Sequence, residues 1–252
     1  MIRIVTYNVN GALDTGAVAT VLATLQPDIV CLLEAPSRFP LRRVAKGAGL
    51  TVVERAGRRR LSTAILVGEE TRVLSHDHFE LSAPPGVPAR HLAHAIVGVG
   101  GHRLSVAATQ FGMRPELREE NVVEVERILD AVDLPTVLGV DLNESPGGAV
   151  AGRLAARLQD AFAVAGTGRG ETYPTPDPST RQDFCFVDPS LAIEQTHVPT
   201  EPPVDVASHH RPVVVDLAGP EATGDRIPTE VTELEPVPDE PEADPDAAEP
   251  AA

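Results

Sequence analysis

The sequence predicts an α/β protein in which two β-sheets pack together with helices on their outer sides. Two features favour this architecture: β-branched apolar runs alternate with segments of helical spacing, and several strands occur as pairs joined by glycine turns. The chain has 252 residues, is 42% hydrophobic and contains no Trp, so its core must be built from Val, Leu, Ile and Ala. Periodicity alone leaves the order of the strands open.

The N-terminal elements are predicted as a strand, a helix, a second strand and a second helix. Residues 2–9, IRIVTYNV, form a β-branched run typical of a buried strand. Residues 14–28 have helical spacing, and Pro27 limits this helix at its end. The next strand is predicted within 28–35, DIVCLLEA, and the next helix within 40–50, PLRRVAKGAGL.

Two hairpins are predicted in the middle of the chain. The first joins residues 51–56, TVVERA, to residues 61–68, LSTAILVG, through a turn at Gly57–Arg60. The second lies within residues 91–111 and turns at Gly98–Gly101.

The C-terminal half begins with the clearest helical pattern in the sequence. Residues 115–132 start with Pro, carry Glu in the first turn and place apolar side chains every three or four positions. A strand is predicted within 135–143, PTVLGVDLN, and a helix over 147–162. The last two strands are predicted within 182–188, QDFCFVD, and 211–217, RPVVVDL.

A domain boundary is predicted between residues 218 and 219. Residues 219–252 are dense in Pro, Glu, Asp and Ala, and their eleven acidic residues and one Arg contribute −10 to the net charge of −16. Such a segment cannot bury enough apolar surface to offset the entropy of ordering it, so we predict an acidic, Pro-rich disordered tail. The tail either solubilises the protein or binds a partner.

The location and partners follow from what the sequence lacks. There is no apolar run of about 18 residues, so we expect no membrane span. The first residues lack the apolar region of a signal peptide. Cys31 and Cys185 lie in apolar runs and are predicted as buried free thiols. We therefore expect a cytoplasmic protein, and a monomer.

The basic residues leave the substrate class open. Residues 1–218 carry a net charge of −6, which disfavours long-range attraction to nucleic acid but allows a local basic groove. Two arginine clusters are either solvated loop residues or contacts to a nucleic-acid backbone. Arg90, at the start of a strand, is a further candidate for a cleft. The clusters contain Arg42, Arg43, Arg55, Arg58, Arg59 and Arg60.

Polar side chains recur where predicted strands begin or end. If these ends share one rim, they form a cleft of amide, carboxylate and imidazole groups. Hard divalent cations such as Mg²⁺ take oxygen ligands of this kind, and such a site suits phosphoester hydrolysis. A strand-end Asn or Asp is also a common turn former, which is the alternative for any single position. The residues are Asn8, Glu34, Asp141, Asn143, Asp183, His209 and His210.

Six segments, in order, resemble the endonuclease/exonuclease/phosphatase superfamily, also called DNase I-like. They are VTYNVNG, QPDIVCLLEA, TAILVG, GVDLNE, ETYPTPDPSTRQDFCFVDP and SHHRPVV, and together they span about residues 1–217. The resemblance implies one domain over residues 1–218. It also implies a four-layered α/β sandwich, with two packed mixed β-sheets flanked by helices and the active site at one edge.

The resemblance implies a role for each matching residue. Glu34 would be the principal metal ligand, with Asn8 beside it. Asp141 would orient or activate the attacking water, and Asn143 would hold a phosphate oxygen. Asp183 would pair with His210 and orient its ring, and His210 would be the catalytic histidine.

Two positions depart from the family pattern. His209 stands where relatives have Asp, so the site would either bind a metal more weakly through Glu34, Asn8 and Asp141 or favour a softer ion such as Mn²⁺ or Zn²⁺ through His209. Gln110 stands where relatives have a His that donates to the phosphate. An amide can bind phosphate, as Asn8 and Asn143 also can, but it cannot act as a general acid.

The sequence leaves two possible functions open. The first is a metal-dependent phosphoester hydrolase, acting on nucleic acid, another phosphodiester or a phosphomonoester. The alternative is a catalytically weak or inactive family member that acts as a binding or scaffold protein, because of His209 and Gln110. The other histidines have no spacing that makes a metal set, and His76 and His78 are interpreted as loop residues.

Overall fold

The computed structural model describes residues 1–58 and 61–219, which fold into thirteen strands and six helices. Arg59 and Arg60 of the first predicted turn lie outside the described residues, as does the predicted tail from residue 220 onward. In chain order, the elements are β1 (Ile2–Asn8), α1 (Thr15–Leu25), β2 (Ile29–Leu33), α2 (Arg38–Ala48), β3 (Thr51–Ala56), β4 (Thr63–Val67), β5 (Arg72–Glu80), β6 (His91–Val99), β7 (His102–Gln110), α3 (Pro115–Asp130), β8 (Thr136–Asp141), α4 (Ala149–Ala155), β9 (Gln159–Asp160), α5 (Ala161–Ala165), β10 (Gly166–Thr167), β11 (Asp183–Val187), β12 (Ile193–His197), α6 (Val204–Ala207) and β13 (Val213–Leu217).

The strands form two mixed sheets. The first has the order β10-β12-β13-β1-β2-β4-β3, and the second has the order β5-β6-β7-β8-β11-β9. Each sheet has a parallel pair at its centre, β1 with β2 and β7 with β8. Their outer neighbours run antiparallel, β13 beside β1 and β11 beside β8. The centre of each sheet therefore presents two carboxyl ends of strands and the start of a third strand at one edge.

Apolar side chains pack at three interfaces: between the two sheets, and between each sheet and the helices on its outer face. The fold is therefore the predicted four-layered sandwich. Between the sheets, Cys31 of β2 and Val137 of β8 belong to one buried cluster. Leu22 of α1 belongs to the cluster that covers the outer face of the first sheet. Val125 of α3 and Leu154 of α4 belong to the cluster that covers the outer face of the second sheet. Burying apolar surface in each layer is what fixes the two sheets relative to the helices.

Four strands were missed by the sequence prediction: the two-residue strands β9 and β10 and the longer strands β5 and β12. His76 and His78 lie in β5 and not in a loop, so that interpretation is wrong. β5 is an edge strand with mostly exposed side chains, which explains why its sequence has no apolar run. β12 lies between the two strands that were predicted to be the last, and its sequence, IEQTH, is largely polar.

The helix predicted over residues 147–162 is too long, because α4 ends at Ala155. Gln159 and Asp160 instead pair with β11. The Asp160 side chain accepts hydrogen bonds from the backbone N–H groups of the next helix, α5, and forms a bidentate ion pair with Arg181 at 2.6 and 2.7 Å. A side chain that caps a new helix ends the previous periodic pattern.

Other predictions are confirmed. The first hairpin is present as the antiparallel pair β3 and β4, and the second as β6 and β7. Cys31 and Cys185 are buried free thiols. Among the helices that the structure describes, the longest has 16 residues, and none combines the length and apolar character needed to cross a bilayer.

The two sheets approach each other closely at Gly139, in the middle of β8. A Cβ atom at Gly139 would lie 2.2 Å from the Cβ of Cys31 and 2.7 Å from the Oγ1 of Thr6. Both of those residues belong to the first sheet. Because Asp141 follows two residues later at the end of β8, this contact sets how close Asp141 comes to the first sheet.

Substituting Gly139→Ala is expected to lower the free energy of unfolding by about 1–3 kcal/mol, since the added methyl group overpacks the space between the sheets. Gly152→Ala in α4 is the matched control, because no described atom beyond its chain neighbours and the backbone of its own helix lies within 4 Å of the added Cβ. Alanine should stabilise that helix slightly. Urea denaturation of both variants measures the difference, and a Gly139→Ala protein as stable as the parent would contradict the close packing.

Candidate active site

The first sheet brings three of the predicted residues to one edge. β1 and β2 run parallel with Asn8 opposite Leu33, so Glu34, directly after Leu33, lies at the same edge as Asn8. β13 runs antiparallel to β1 and begins at this edge, which places His210 there as well. The parallel pair and its antiparallel neighbour therefore deliver an amide, a carboxylate and an imidazole to one place.

The second sheet brings its own polar residues to the facing edge. β7 and β8 run parallel with Gln110 opposite Asp141, and β11 runs antiparallel with Asp183 opposite Asp141. All three side chains are buried. Because the two sheets pack face to face, these residues meet those of the first sheet across the top of the core.

An amide–carboxylate cluster, defined as Asn8, Glu34, Gln110 and Asp141, joins the two sheets. Asn8 Nδ2 donates to Asp141 Oδ2 at 3.0 Å and to Glu34 Oε1 at 3.3 Å. Gln110 Nε2 donates to the same two oxygens at 3.0 and 2.9 Å. Each amide therefore bridges both carboxylates. The Oδ1 atom of Asn8 accepts from the backbone N–H of Asn10 at 3.0 Å, so it is turned away from the carboxylates.

The backbone at Glu34 has an uncommon conformation. Glu34 has a φ of 47°, in the left-handed region, which costs free energy for a residue with a side chain. Two backbone hydrogen bonds hold it: Gly11 N–H donates to the Glu34 carbonyl at 2.8 Å, and Ala35 N–H donates to the Ser62 carbonyl at 2.8 Å. This turn is what directs the Glu34 carboxylate into the cluster.

Burial makes Asp141 a weaker acid than an ordinary aspartate. Its pKa is raised to about 6 by burial and by the nearby charge of Asp183, while His210 and two hydrogen bonds oppose the rise. One of these bonds comes from the backbone N–H of Asn143, at 2.9 Å. The Asn143 side chain itself donates from Nδ2 to the Phe111 carbonyl at 2.9 Å, so its role toward phosphate remains a prediction.

A buried carboxylate and imidazole face this cluster. Asp183 Oδ2 lies 2.8 Å from His210 Nδ1, and Asp183 is fully buried. Burial alone would lower the pKa of His210, but the charge and hydrogen bond of Asp183, with the charges of Asp141 and Glu34, raise it to about 9. The ring of Tyr173 packs against His210 with centroids 4.7 Å apart. At neutral pH His210 is therefore a positioned cation.

The donor set fits a divalent cation. One ligand atom from each of Asp141, Asp183 and His210 lies within 4.8 Å of the others. Asp183 Oδ1 is buried and has no hydrogen-bond partner among the described residues, so it has a lone pair to offer. The carboxylate of Glu34 shares two amide donors with Asp141. Carboxylate oxygens close together in a buried place suit Mg²⁺ or Mn²⁺.

His209 has a different environment from His210. It is exposed, and its Nδ1 lies 3.0 Å from Asn10 Nδ2. Its described hydrogen bond thus connects it to the Asn10 turn and leaves it outside the amide–carboxylate cluster. A role for His209 in metal binding stays a prediction.

Arg90 enters the site through Gln110. Its Nη1 donates to Gln110 Oε1 at 2.5 Å, and the charges of Asp141 and Glu34 partly offset the lowering of its pKa by burial. The sequence signal was its position directly before a strand. Tyr173 was missed as a neighbour of His210, although it lies in the conspicuous Thr-Tyr-Pro turn that precedes Asp183.

In the metal-free protein, Gln110→Ala is expected to raise the pKa of Asp141 above its value of about 6. The amide hydrogen bond from Gln110 favours the ionised carboxylate, and the substitution removes it. Carboxyl ¹³C chemical shifts followed against pH would measure the change. The control is Gln195→Ala on the exposed face of β12, which should leave the titration unchanged. An unchanged or lower Asp141 pKa in Gln110→Ala would contradict this geometry.

A four-layered sandwich with an acid–histidine site at the edge of its sheets defines a DNase I-like protein. The family model described as the endonuclease/exonuclease/phosphatase family matches residues 5–225, and the chain belongs to that family. The activities in the family's name are all hydrolyses of phosphoesters. The comparison with curated proteins gives no match.

Solved structures with the same fold differ widely in what their names describe. A functionally unknown conserved protein from Enterococcus faecalis has a TM-score of 0.78 and 18% identity, over 87% of this chain and 100% of that chain. A mannosyl-6-phosphatase from Bacteroides thetaiotaomicron has a TM-score of 0.76 and 16% identity, over 86% and 100%. The human Nocturnin catalytic domain, with a bound sulfate anion, has a TM-score of 0.69 and 16% identity, over 86% and 93%. At these identities the likeness is one of fold.

Proposed function

We propose that the protein is a divalent-metal-dependent phosphoester hydrolase that uses Mg²⁺ or Mn²⁺. The observation that carries the proposal is the buried Asp183–His210 pair, joined at 2.8 Å, beside the carboxylates of Glu34 and Asp141. A protonated imidazole and a carboxylate of raised pKa side by side are the acid and base that phosphoester hydrolysis requires.

Each residue has a distinct part in the proposed reaction. Glu34 is the principal ligand of the cation, and the cation supplies charge neutralisation at the phosphate. Asp141, with a pKa of about 6, is ionised at neutral pH and accepts a proton from the attacking water. His210 donates a hydrogen bond or a proton at the phosphate, and Asp183 holds its ring in place. Asn143 and Asn8 complete the polar surface around the phosphate.

The choice between nucleic acid and smaller substrates depends on the arginine clusters. The Arg55 guanidinium donates to the carbonyl oxygens of Pro36 and Gly57, both at 2.9 Å, and to Ser62 Oγ at 3.2 Å. These three hydrogen bonds hold the neighbouring backbone in place, so the main role of the Arg55 guanidinium is structural and not the binding of a nucleic-acid phosphate. With a net charge of −6 on residues 1–218, this supports a small phosphodiester or phosphomonoester over long nucleic acid.

The alternative, a binding or scaffold protein of low activity, is favoured by one observation. Gln110 replaces the family's histidine, and its amide occupies the oxygens of both Glu34 and Asp141. A cation at Glu34 must compete with those two hydrogen bonds. Loss of a positioned acid typically costs on the order of 10²–10⁴ in rate.

The deciding experiment is a hydrolysis assay on the full chain with Mg²⁺, Mn²⁺ and Zn²⁺ in turn. Substrates are bis-p-nitrophenyl phosphate, p-nitrophenyl phosphate and plasmid DNA. We expect metal-dependent turnover that Glu34→Ala and His210→Ala abolish and that the control His102→Ala, far along β7, preserves. Turnover that persists in the first two variants, or no turnover with any metal, would overturn the proposal.

The monomeric state and cytoplasmic location expected from the sequence are separate proposals. Light scattering would check the first, and cell fractionation would check the second.

A further inference from the structure

A pocket of about 260 Å³ opens directly beside the candidate active site. Its walls come from three parts of the chain: the loop between β5 and β6, the segment from the end of β7 into α3, and Leu61 before β4. The loop contributes Val87, Pro88 and Arg90 to the pocket, and the opposite wall contributes Met113 and Leu117. Apart from Arg90, these side chains are apolar; Ser82, Arg114 and Asn121 add polar groups to the lining.

Arg90 connects the pocket to the site. Its Nη1 donates to Gln110 Oε1 at 2.5 Å, and Gln110 in turn donates to Glu34 and Asp141. A guanidinium carries five donors, so the bond to Gln110 leaves others for a ligand. The inner end of the apolar pocket is therefore a cation at the edge of the amide–carboxylate cluster.

The pocket walls are held in place before any ligand arrives. The loop at residues 81–90 is closed by a backbone hydrogen bond of 2.8 Å between its two end residues. Ser82 ties the loop to α3, because its backbone N–H donates to Glu124 Oε2 at 2.7 Å. On the other wall, Gly112 N–H donates to Asn121 Oδ1 at 3.1 Å. A pre-formed pocket loses little entropy when it binds.

We propose that this pocket receives a ring-sized apolar ester group of a phosphodiester, while Arg90 binds the charged phosphate; this rests on the proposed hydrolase function. The size supports one ring: a cavity of roughly 150 Å³ lined by apolar side chains binds benzene. The pocket has room for a ring with a substituent but not for a run of stacked bases. Met113 is 76% exposed at the rim and, as a flexible thioether, adapts to such a group.

Calorimetry with two phosphodiester anions tests the proposal on the full chain without added metal, where a metal-dependent hydrolase leaves both anions intact. Diphenyl phosphate and dimethyl phosphate have the same charged centre and differ in the groups that would enter the pocket. We expect diphenyl phosphate to bind at least about tenfold more tightly. In Met113→Asp the preference should disappear while dimethyl phosphate binding is unchanged. The control Val164→Asp, at a side chain 56% exposed on α5, should keep the preference.

The outcomes separate this inference from the proposed function. Equal affinities in the parent protein, or a preference that survives both Met113→Asp and Val87→Asp, would overturn the pocket assignment. Because Met113 is exposed, Met113→Asp is expected to fold with an unchanged melting temperature, and Val87→Asp supplies a second position in the same pocket. The hydrolase proposal is decided separately, by turnover in the metal assay, since the binding ratio needs no reaction.

Discussion

Substituting Asp183→Asn is expected to lower kcat by about 10²–10⁴-fold with little change in KM. In the parent protein, Asp183 Oδ2 lies 2.8 Å from His210 Nδ1. Asn has the size of Asp and keeps an oxygen at this place. It loses the negative charge that keeps the buried imidazole protonated. An uncharged His210 can neither donate a proton nor stabilise the charge that develops on the phosphate.

The pH dependence of the rate should shift in a defined direction when Asp183 is replaced. In the parent protein the pKa of His210 is about 9, although burial acts to lower it, because the charge and hydrogen bond of Asp183 raise it. Activity that depends on the imidazolium should therefore fall as the pH rises through about 9. In Asp183→Asn the largest raising contributions are gone, so the alkaline limb should move to a lower pH.

The same linkage acts on stability. The folded-state pKa of His210 lies above the unfolded value of 6.5, so its contribution to folding is fully present below pH 6.5 and is lost as the pH rises through about 9. Asp183→Asn should thus reduce the free energy of unfolding most at low pH and least above pH 9.

Rate profiles between pH 5 and 10 and urea denaturation at several pH values would measure both effects. Asp133→Asn, at an exposed position in the connection between α3 and β8, is the matched control and should leave the rate and the profile unchanged. An alkaline limb that stays near pH 9 in Asp183→Asn would show that another group carries the proton.

The centre of the fold could be predicted from the sequence because its strands are buried on both faces. Such strands read as continuous β-branched runs, as in β1 and β8, and their ends are marked by polar residues. β5, an edge strand, and β12, whose outer neighbour β10 has only two residues, could not be predicted in this way, because a strand that is largely exposed to solvent needs few apolar residues. Their pairing depends on neighbours far away in the chain.

Which side chains reach the rim could be predicted from the sequence better than the contacts among them. The strand-end residues Asn8 and Asp141 are 133 positions apart, and only the packing of the two sheets places them 3.0 Å from each other. The direction of His209 toward Asn10, and that of Arg90 toward Gln110, depend on loop conformations that carry no periodic signal. A motif identifies which side chains reach the rim, whereas the hydrogen bonds among them depend on the three-dimensional structure.

Substituting Glu34→Gln is expected to weaken Mg²⁺ or Mn²⁺ binding by at least about 100-fold and to abolish metal-dependent turnover. Altering a group that merely supports a ligand already costs about 10–100-fold in affinity, and Glu34 is the proposed ligand itself. Gln keeps the size of the side chain and an oxygen for the bonds from Asn8 and Gln110, so the fold should be preserved.

The thermal stability of the parent protein should report the same binding. A ligand at 100 times its dissociation constant stabilises the folded state by about 2.7 kcal/mol, so added Mn²⁺ should raise Tm at pH 7.5. The rise should fade below about pH 6. There Asp141, whose pKa is raised to about 6 by burial and by Asp183, becomes uncharged and no longer adds its negative charge to the cation site at Glu34.

Calorimetric titration with Mn²⁺ measures the affinity of Glu34→Gln, and melting curves at pH 5 and 7.5 measure its stabilisation by the metal. The control is Glu194→Gln, at an exposed position of β12. The control should bind Mn²⁺ as the parent does, because its carboxylate is remote from the rim. The variant should lose the metal-dependent rise in Tm at pH 7.5 and keep the metal-free Tm of the parent. A Glu34→Gln protein that still gains stability from Mn²⁺ would place the cation on Asp141, Asp183 and His210 instead, whose ligand atoms lie within 4.8 Å of one another.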